Sequence, residues 1–146
     1  MNILYIDNCD NGRELYDLVL SNSGENQVDL AGNGVEGLMK VLENPQRYQA
    51  IVTDFEMPVM NGLVFLEHLA KLDTSYVGNP FKMLISSSTD PSLSAKASKL
   101  GAEFMTRPKS VEGILTGFYA LFCDFQQNQS GLYVPERLED RVQLQL

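Results

Sequence analysis

The sequence predicts an α/β fold, a single doubly wound sheet of five parallel strands with five helices around it. Short apolar runs alternate with amphipathic stretches along the chain, the pattern of parallel strands joined by helical crossovers. Residues 3–6 and 50–53 are almost continuously apolar, as expected of central strands that are buried on both faces. A length of 146 residues fits one domain of this kind.

The predicted strands are short, four to six residues each. They lie at residues 2–7, 27–31, 50–54, 82–86 and 103–106. The first and third are the most apolar and are expected at the centre of the sheet.

The predicted helices each carry apolar residues at helical spacing. The expected stripes are Leu15, Leu18 and Val19; Val35, Leu38, Val41 and Leu42; Val64, Phe65, Leu66 and Leu69; Ala95, Ala97 and Leu100; and Ile114, Leu115, Phe118, Leu121 and Phe122. Asp90 and Pro91 suit the start of the fourth helix, because aspartate caps helices and proline fits the first turn. The fifth helix begins after Ser110.

The composition changes after Asp124. A polar stretch at residues 126–131 is typical of a linker, and the charged end from Pro135 onward has the length of a short helix. We therefore expect one folded domain at residues 1–124 and a polar linker and tail at residues 125–146. The sequence leaves open whether the chain acts alone or is a fragment of a longer protein.

Charge and composition exclude several classes of function. The formal net charge is −8, with 19 acidic and 11 basic residues and no run of Lys and Arg, so direct nucleic acid binding and anionic membrane surfaces are disfavoured. Two isolated cysteines do not make a disulfide framework. No apolar run approaches the length of a membrane span. We expect a cytoplasmic protein.

Polar residues end four of the predicted strands: Asp7 with Asn8, Asp54, Ser86, and Arg107 just after Thr106. In an open parallel sheet, ligands bind outside the carboxyl ends of the strands. Carboxylates, a hydroxyl and a cation in one cleft are suited to handling a phosphoryl group with a divalent cation. The residues alone predict this chemistry.

Four segments resemble the receiver domain of two-component response regulators, over roughly residues 1–124. They are residues 3–8 (ILYIDN), 54–62 (DFEMPVMNG), 84–87 (LISS) and 104–108 (FMTRP). The second segment is the most characteristic, and the order and spacing of all four add to it. The resemblance implies a flavodoxin-like receiver fold and a phosphorelay signalling function.

The resemblance also implies roles for individual residues. Asp54 would accept the phosphoryl group and become an aspartyl phosphate. Asp7, Asn8, Asp54 and the backbone carbonyl of Glu56 would bind Mg²⁺. Ser86 and Arg107 would contact the phosphoryl group, and Ser86 with Phe104 would form the switch.

Two residues depart from the family pattern. Asn8 stands where a second acid is usual, which removes one negative charge from the cation site. Arg107 stands where lysine is usual, and its planar fork reaches a phosphoryl oxygen differently from an ammonium group.

Simpler readings stay open for each candidate. Asp54 could cap a turn, Asp7 could be solvated, Ser86 could belong to a polar loop, and Phe104 could be core.

Three functions compete at this stage. The first is a phosphorylation-controlled signalling module, not a turnover enzyme, with a histidine kinase or phosphotransfer protein as donor. A downstream protein target would read its state, and a homodimer stays open. The second is a degenerate, phosphate-independent receiver used for interaction or dimerisation, motivated by Asn8 and Arg107. The third, an unrelated flavodoxin-like cofactor or hydrolase domain, lacks a glycine-rich loop after the first strand.

Overall fold

The computed structural model describes residues 1–130 of the chain. Strands and helices alternate as β1 (Asn2–Ile6), α1 (Asp10–Ser21), β2 (Gln27–Ala31), α2 (Gly34–Glu43), β3 (Ala50–Asp54), α3 (Gly62–Ala70), α4 (Thr74–Val77), β4 (Phe81–Ser86), α5 (Pro91–Lys99), β5 (Glu103–Thr106) and α6 (Val111–Ser130). Every predicted strand is present, three of them with the predicted bounds.

The strands form one parallel sheet in the order β2-β1-β3-β4-β5. This confirms the predicted fold class, with β1 and β3 inside the sheet. One difference is the short helix α4, which the sequence analysis missed. It is only four residues long, and its cap at Asp73 accepts a hydrogen bond from the Ser75 N–H at 2.9 Å.

The last helix is longer than expected. The predicted boundary after Asp124 falls inside α6, which continues to Ser130. The residues expected to form a linker are therefore helical as far as 130, while the predicted tail beyond them lies outside the described residues. Within residues 1–130, no helix has the length and apolar character needed to cross a membrane.

Two apolar layers cover the two faces of the sheet. One packs α1 and α6 against side chains such as Tyr5, Val52 and Phe81, and the other packs α2, α3, α4 and α5 against Leu4, Ile51 and similar residues on the opposite face. Because side chains alternate along a strand, the odd-numbered residues of β1 face α1 and α6. Asp7 continues that series, and Asp54 continues the Ala50, Val52 series on the same face.

The predicted stripes of the first two helices are only partly confirmed. In α1, Val19 is buried as predicted, but Leu15 and Leu18 are exposed and Tyr16 and Leu20 are buried instead. In α2, Val41 is buried as predicted, whereas Val35 and Leu42 are exposed and the rest of the buried face consists of Gly34 and Gly37. A Cβ at Gly37 would lie 2.6 Å from the Ile6 Cδ1 atom, so the glycines decide which face of α2 approaches the sheet.

Candidate functional site

The predicted polar residues meet at the carboxyl edge of the sheet. Asp7, Asp54 and Ser86 are buried, with exposed fractions of 1%, 4% and 0%. The Arg107 N–H donates to the Ser86 carbonyl at 2.9 Å, which continues the β4–β5 pairing past the last strand residue. The parallel register thus fixes the backbone of each candidate, and burial limits how far the side chains can move.

Arg107 contacts Asp54, the candidate phosphate acceptor, and two neighbouring polar side chains. Its Nη2 atom forms an ion pair with the Asp54 Oδ1 atom and lies 3.9 Å from the Glu56 Oε2 atom. Its Nε–H donates to the Ser87 hydroxyl at 3.3 Å. The planar fork of the guanidinium allows one residue to serve several acceptors. Arg107 is therefore the counter-charge of Asp54 in this structure.

Ser86 is bound through both its donor and its acceptor functions. Its hydroxyl donates to the Glu56 Oε1 atom at 2.6 Å, and its oxygen accepts from the Ser88 N–H at 3.0 Å. A short hydrogen bond to an ionised carboxylate is among the stronger kinds. The role predicted for Glu56 involved only its backbone carbonyl, and the contact of its side chain with Ser86 was not predicted.

The electrostatics of Asp54 are those of a buried carboxylate. Burial is the largest influence and raises the pKa of Asp54 to about 7, although Arg107 opposes the shift. The negative charges of Asp7 and Glu56 raise the pKa further. A carboxylate that is held in a dry site is less solvated and more reactive as a nucleophile when it is ionised.

Asp7 is held by groups that the sequence analysis did not single out. The Tyr5 hydroxyl donates to Asp7 Oδ2 at 2.8 Å, and the Cys9 N–H donates to Oδ1 at 3.0 Å. The Arg13 guanidinium donates to the Asp7 carbonyl at 2.5 Å and also pairs with Asp10. The contact between Tyr5 and Asp7 could have been predicted, because residues two apart on a strand share a face. No pattern in the sequence predicts the contact between Arg13, on α1, and the Asp7 carbonyl.

An aromatic pair lies beneath this carboxylate. The rings of Tyr5 and Tyr16 stack with centroids 4.3 Å apart. Burial raises the pKa of Tyr5 and raises that of Tyr16 to about 12, so both hydroxyls keep their protons near neutral pH. In the described part of the chain the Tyr16 hydroxyl is buried with no hydrogen-bond partner. The floor of the site therefore contains neutral hydroxyl groups rather than further charges.

The other predicted residues differ in how far they enter the site. Asn8 is exposed, directly after the end of β1. Phe104 on β5 is partly buried and packs against the apolar layer that contains α5.

The loop between β3 and α3 is fixed close to Asp54. The Phe55 N–H donates to the Ile85 carbonyl at 2.8 Å, and the Gly62 N–H donates to the Phe55 carbonyl at 3.0 Å. Asn61 caps α3, accepting from the Val64 N–H at 3.0 Å. The spacing of the DFEMPVMNG segment thus closes a loop that returns to the acceptor strand, which is why Gly62 contacts Asp54.

The oxygen atoms at this edge suit a hard divalent cation. Asp7 and Asp54 supply two buried carboxylates, and carboxylate, amide and carbonyl oxygens are the ligands that Mg²⁺ prefers. The negative charges of Asp7 and Glu56 both raise the pKa of Asp54, so negative charge is concentrated at this edge of the sheet. Among residues 1–130, however, no three His, Cys, Asp or Glu side chains are grouped as metal ligands. A cation would need the backbone carbonyl of Glu56 or the Asn8 amide, as the sequence analysis expected.

Comparison with known proteins agrees with this architecture. A family model described as the response regulator receiver domain matches residues 3–115. A Rhizobium etli protein described as a probable chemotaxis protein CheY is 26% identical over 121 residues, which cover 82% of this chain and 91% of that protein.

Solved structures show the same fold. The chemotaxis protein CheY4 of Vibrio cholerae has a TM-score of 0.72 at 23% identity, covering 82% of this chain and 97% of that chain. A CheY-like receiver domain protein from Methanospirillum hungatei has a TM-score of 0.73 at 21% identity, covering 88% and 98%. At these identities the likeness is one of fold.

Proposed function

This chain belongs to the response regulator receiver domain family, and from that premise we propose that Asp54 accepts a phosphoryl group from a histidine kinase or a phosphotransfer protein. Receiver domains of two-component systems are signalling switches rather than turnover enzymes. The observation that carries the proposal is the burial of Asp54 at the end of β3, where its carboxylate forms an ion pair with the Arg107 guanidinium.

The proposed transfer is a displacement at phosphorus. An Asp54 carboxylate oxygen attacks the phosphorus atom of the donor's phosphohistidine, a P–O bond forms, and the P–N bond breaks. The electron pair of that bond stays on the imidazole nitrogen, which takes up a proton when needed. The product is an aspartyl phosphate. Hydrolysis ends the modified state: water attacks phosphorus, the P–O bond to Asp54 breaks, inorganic phosphate leaves, and the carboxylate of Asp54 is regenerated.

Side chains around Asp54 supply positioning and charge. The Arg107 guanidinium already lies against the Asp54 carboxylate and would hold one of the new phosphoryl oxygens. The Ser86 hydroxyl would donate to another. Mg²⁺ held by Asp7, Asn8, Asp54 and the Glu56 carbonyl would neutralise phosphoryl charge when it is bound.

The proposed output is a change in a protein-binding face. Ser86 ends β4, and Phe104 lies on the neighbouring strand β5, next to α5. Drawing the Ser86 hydroxyl toward a phosphoryl group would favour one of two arrangements of Phe104 and the α5–β5 face. A downstream protein, or a second copy of the chain, would bind one arrangement better than the other. We place this chemistry in the cytoplasm.

Intact mass spectrometry tests the proposal. After incubation with acetyl phosphate and Mg²⁺, the wild type is expected to gain a single adduct of about 80 Da, while Asp54→Ala gains none. Glu67→Ala is the matched control, because Glu67 is an exposed carboxylate on α3, and it should be modified like the wild type. An adduct that persists in Asp54→Ala would contradict the proposal.

A second function is favoured by the Arg107–Asp54 ion pair together with the exposed Asn8. The guanidinium already neutralises the acceptor, and one acidic cation ligand of the family pattern is absent. A receiver of this kind would bind partners without phosphate. Folded wild-type protein that gains no adduct at any Mg²⁺ concentration would favour this second function over the first.

A further inference from the structure

Glu56 contacts both side chains that the proposed phosphoryl group would use. Its Oε1 atom accepts from the Ser86 hydroxyl at 2.6 Å, and its Oε2 atom lies 3.9 Å from the Arg107 Nη2 atom. The contacts come from one carboxylate on the loop after β3, two residues past Asp54. Glu56 is thus placed as an anion between the hydroxyl and the cation.

The hydrogen bond to Glu56 excludes a simultaneous bond from Ser86 to another anion. A serine hydroxyl has one hydrogen to donate, and here it is donated to Glu56. The Ser88 N–H occupies the Ser86 oxygen from another side at 3.0 Å, which limits rotation of the hydroxyl. An incoming phosphoryl oxygen must therefore displace the Glu56 carboxylate before Ser86 can bind it.

The negative charge of Glu56 also opposes the arrival of a phosphoryl group. One Arg107 nitrogen, Nη2, forms an ion pair with the Asp54 Oδ1 atom and lies 3.9 Å from the Glu56 Oε2 atom, so the two carboxylates share a single cation. A phosphoryl group brings further negative charge to this position, and like charges in a poorly solvated site repel. While the donor approaches and Asp54 is still a carboxylate, Arg107 therefore faces three anions instead of two.

We propose that the Glu56 carboxylate occupies the phosphoryl-binding groups of the unmodified protein and thereby slows modification of Asp54, an inference that rests on the proposed function. Glu56 is a specificity-determining residue in this account. It sets how strong a phosphodonor must be, because only a transfer that displaces the carboxylate can succeed. It also keeps Ser86 in a hydrogen-bonded position in the absence of phosphate.

The rate of modification tests the inference. Wild type, Glu56→Gln and the control Glu67→Gln, which removes an exposed carboxylate from α3, are treated with acetyl phosphate at Mg²⁺ concentrations that saturate the rate. Glu56→Gln should gain the phosphoryl adduct about three- to tenfold faster than the wild type, and Glu67→Gln at the wild-type rate. A Glu56→Gln rate no higher than that of Glu67→Gln overturns the inference and leaves the proposed function intact.

The remaining outcomes are also decisive. An adduct on Glu56→Gln but not on the wild type supports the inference, whereas no adduct on any of the three proteins overturns it together with the proposed function.

A second experiment, by NMR spectroscopy, needs no phosphodonor. In Glu56→Ala, which removes the acceptor of the Ser86 hydroxyl, the NMR amide signal of Ser88 should shift, because Ser88 donates to that hydroxyl oxygen, and in Glu67→Ala it should stay in place. An unshifted Ser88 signal in Glu56→Ala overturns the inference.

Discussion

Asp54→Asn is expected to raise the free energy of unfolding by about 2 kcal/mol at pH 8 in metal-free buffer. Burial raises the pKa of Asp54 to about 7 in the folded protein, against about 3.9 for an unfolded aspartate. Above pH 7 the folded protein must therefore hold a poorly solvated charge that the unfolded chain exposes to water. Asparagine keeps the shape of the side chain and removes that charge.

The sign of the pH dependence follows from proton uptake. Between about pH 4 and pH 7 the folded protein binds a proton on Asp54 that the unfolded chain has already lost, so wild-type stability falls as the pH rises through this range. The advantage of Asp54→Asn should be small at pH 4.5 and largest above pH 7. The pKa of about 7 already includes the opposing effect of Arg107. We expect about half of the full electrostatic difference, because local relaxation and water entry lower the cost of a buried charge.

Urea denaturation at the two pH values measures this effect. Glu67→Gln is the control, because Glu67 is exposed on α3, and its stability should track the wild type at both. A variant at position 54 that is less stable than the wild type at pH 8 would contradict the account. An advantage that is equal at pH 4.5 and pH 8 would show that its origin is not the charge of Asp54.

Gly62→Ala is expected to lower the free energy of unfolding by about 2 to 3 kcal/mol. A Cβ at position 62 would lie 2.4 Å from the Asp54 carbonyl oxygen and 2.6 Å from the Leu84 Cδ1 atom. The leucine methyl group can move, but the carbonyl belongs to the last residue of a strand that is paired on both sides. The loop after β3 must therefore shift, and Glu56 moves with it.

Gly32→Ala provides the matched comparison for this substitution. The nearest atoms to a Cβ at Gly32 are the Glu36 Oε2 atom at 3.4 Å and the Arg13 Nη1 atom at 3.5 Å, both at the ends of flexible side chains. We expect a change within about 0.5 kcal/mol for this variant. Equal urea midpoints for the two alanine variants would mean that the close approach at Gly62 does not constrain the loop.

The strands and the edge of the site could be predicted because their signals are local. A buried parallel strand is a continuous apolar run, and the polar residue that ends it must lie at the carboxyl edge. Asp54 and Ser86 follow from this rule alone. The family resemblance added roles to the residues, and the structure adds the contacts that surround them.

The orientation of α1 and α2 could not be read from periodicity. Val19 is four residues after Leu15 and three after Tyr16, so helical spacing permits a buried stripe that contains either of them. The choice is made by tertiary contacts, the stacking of Tyr16 on Tyr5 and the approach of Gly37 to Ile6. The hydrogen bond between Glu56 and Ser86 could not be predicted either, because the two residues are 30 positions apart in the chain and only the fold brings them together.

Locating the phosphoryl group is the most direct test of the central claim. Acetyl phosphate and Mg²⁺ modify the protein, borohydride reduces the acyl phosphate to the alcohol, and peptide mass spectrometry identifies the residue that has become homoserine. The account predicts homoserine at position 54 alone. Homoserine at another aspartate such as Asp7, or unchanged aspartate at position 54 in protein that carries the adduct, would contradict it.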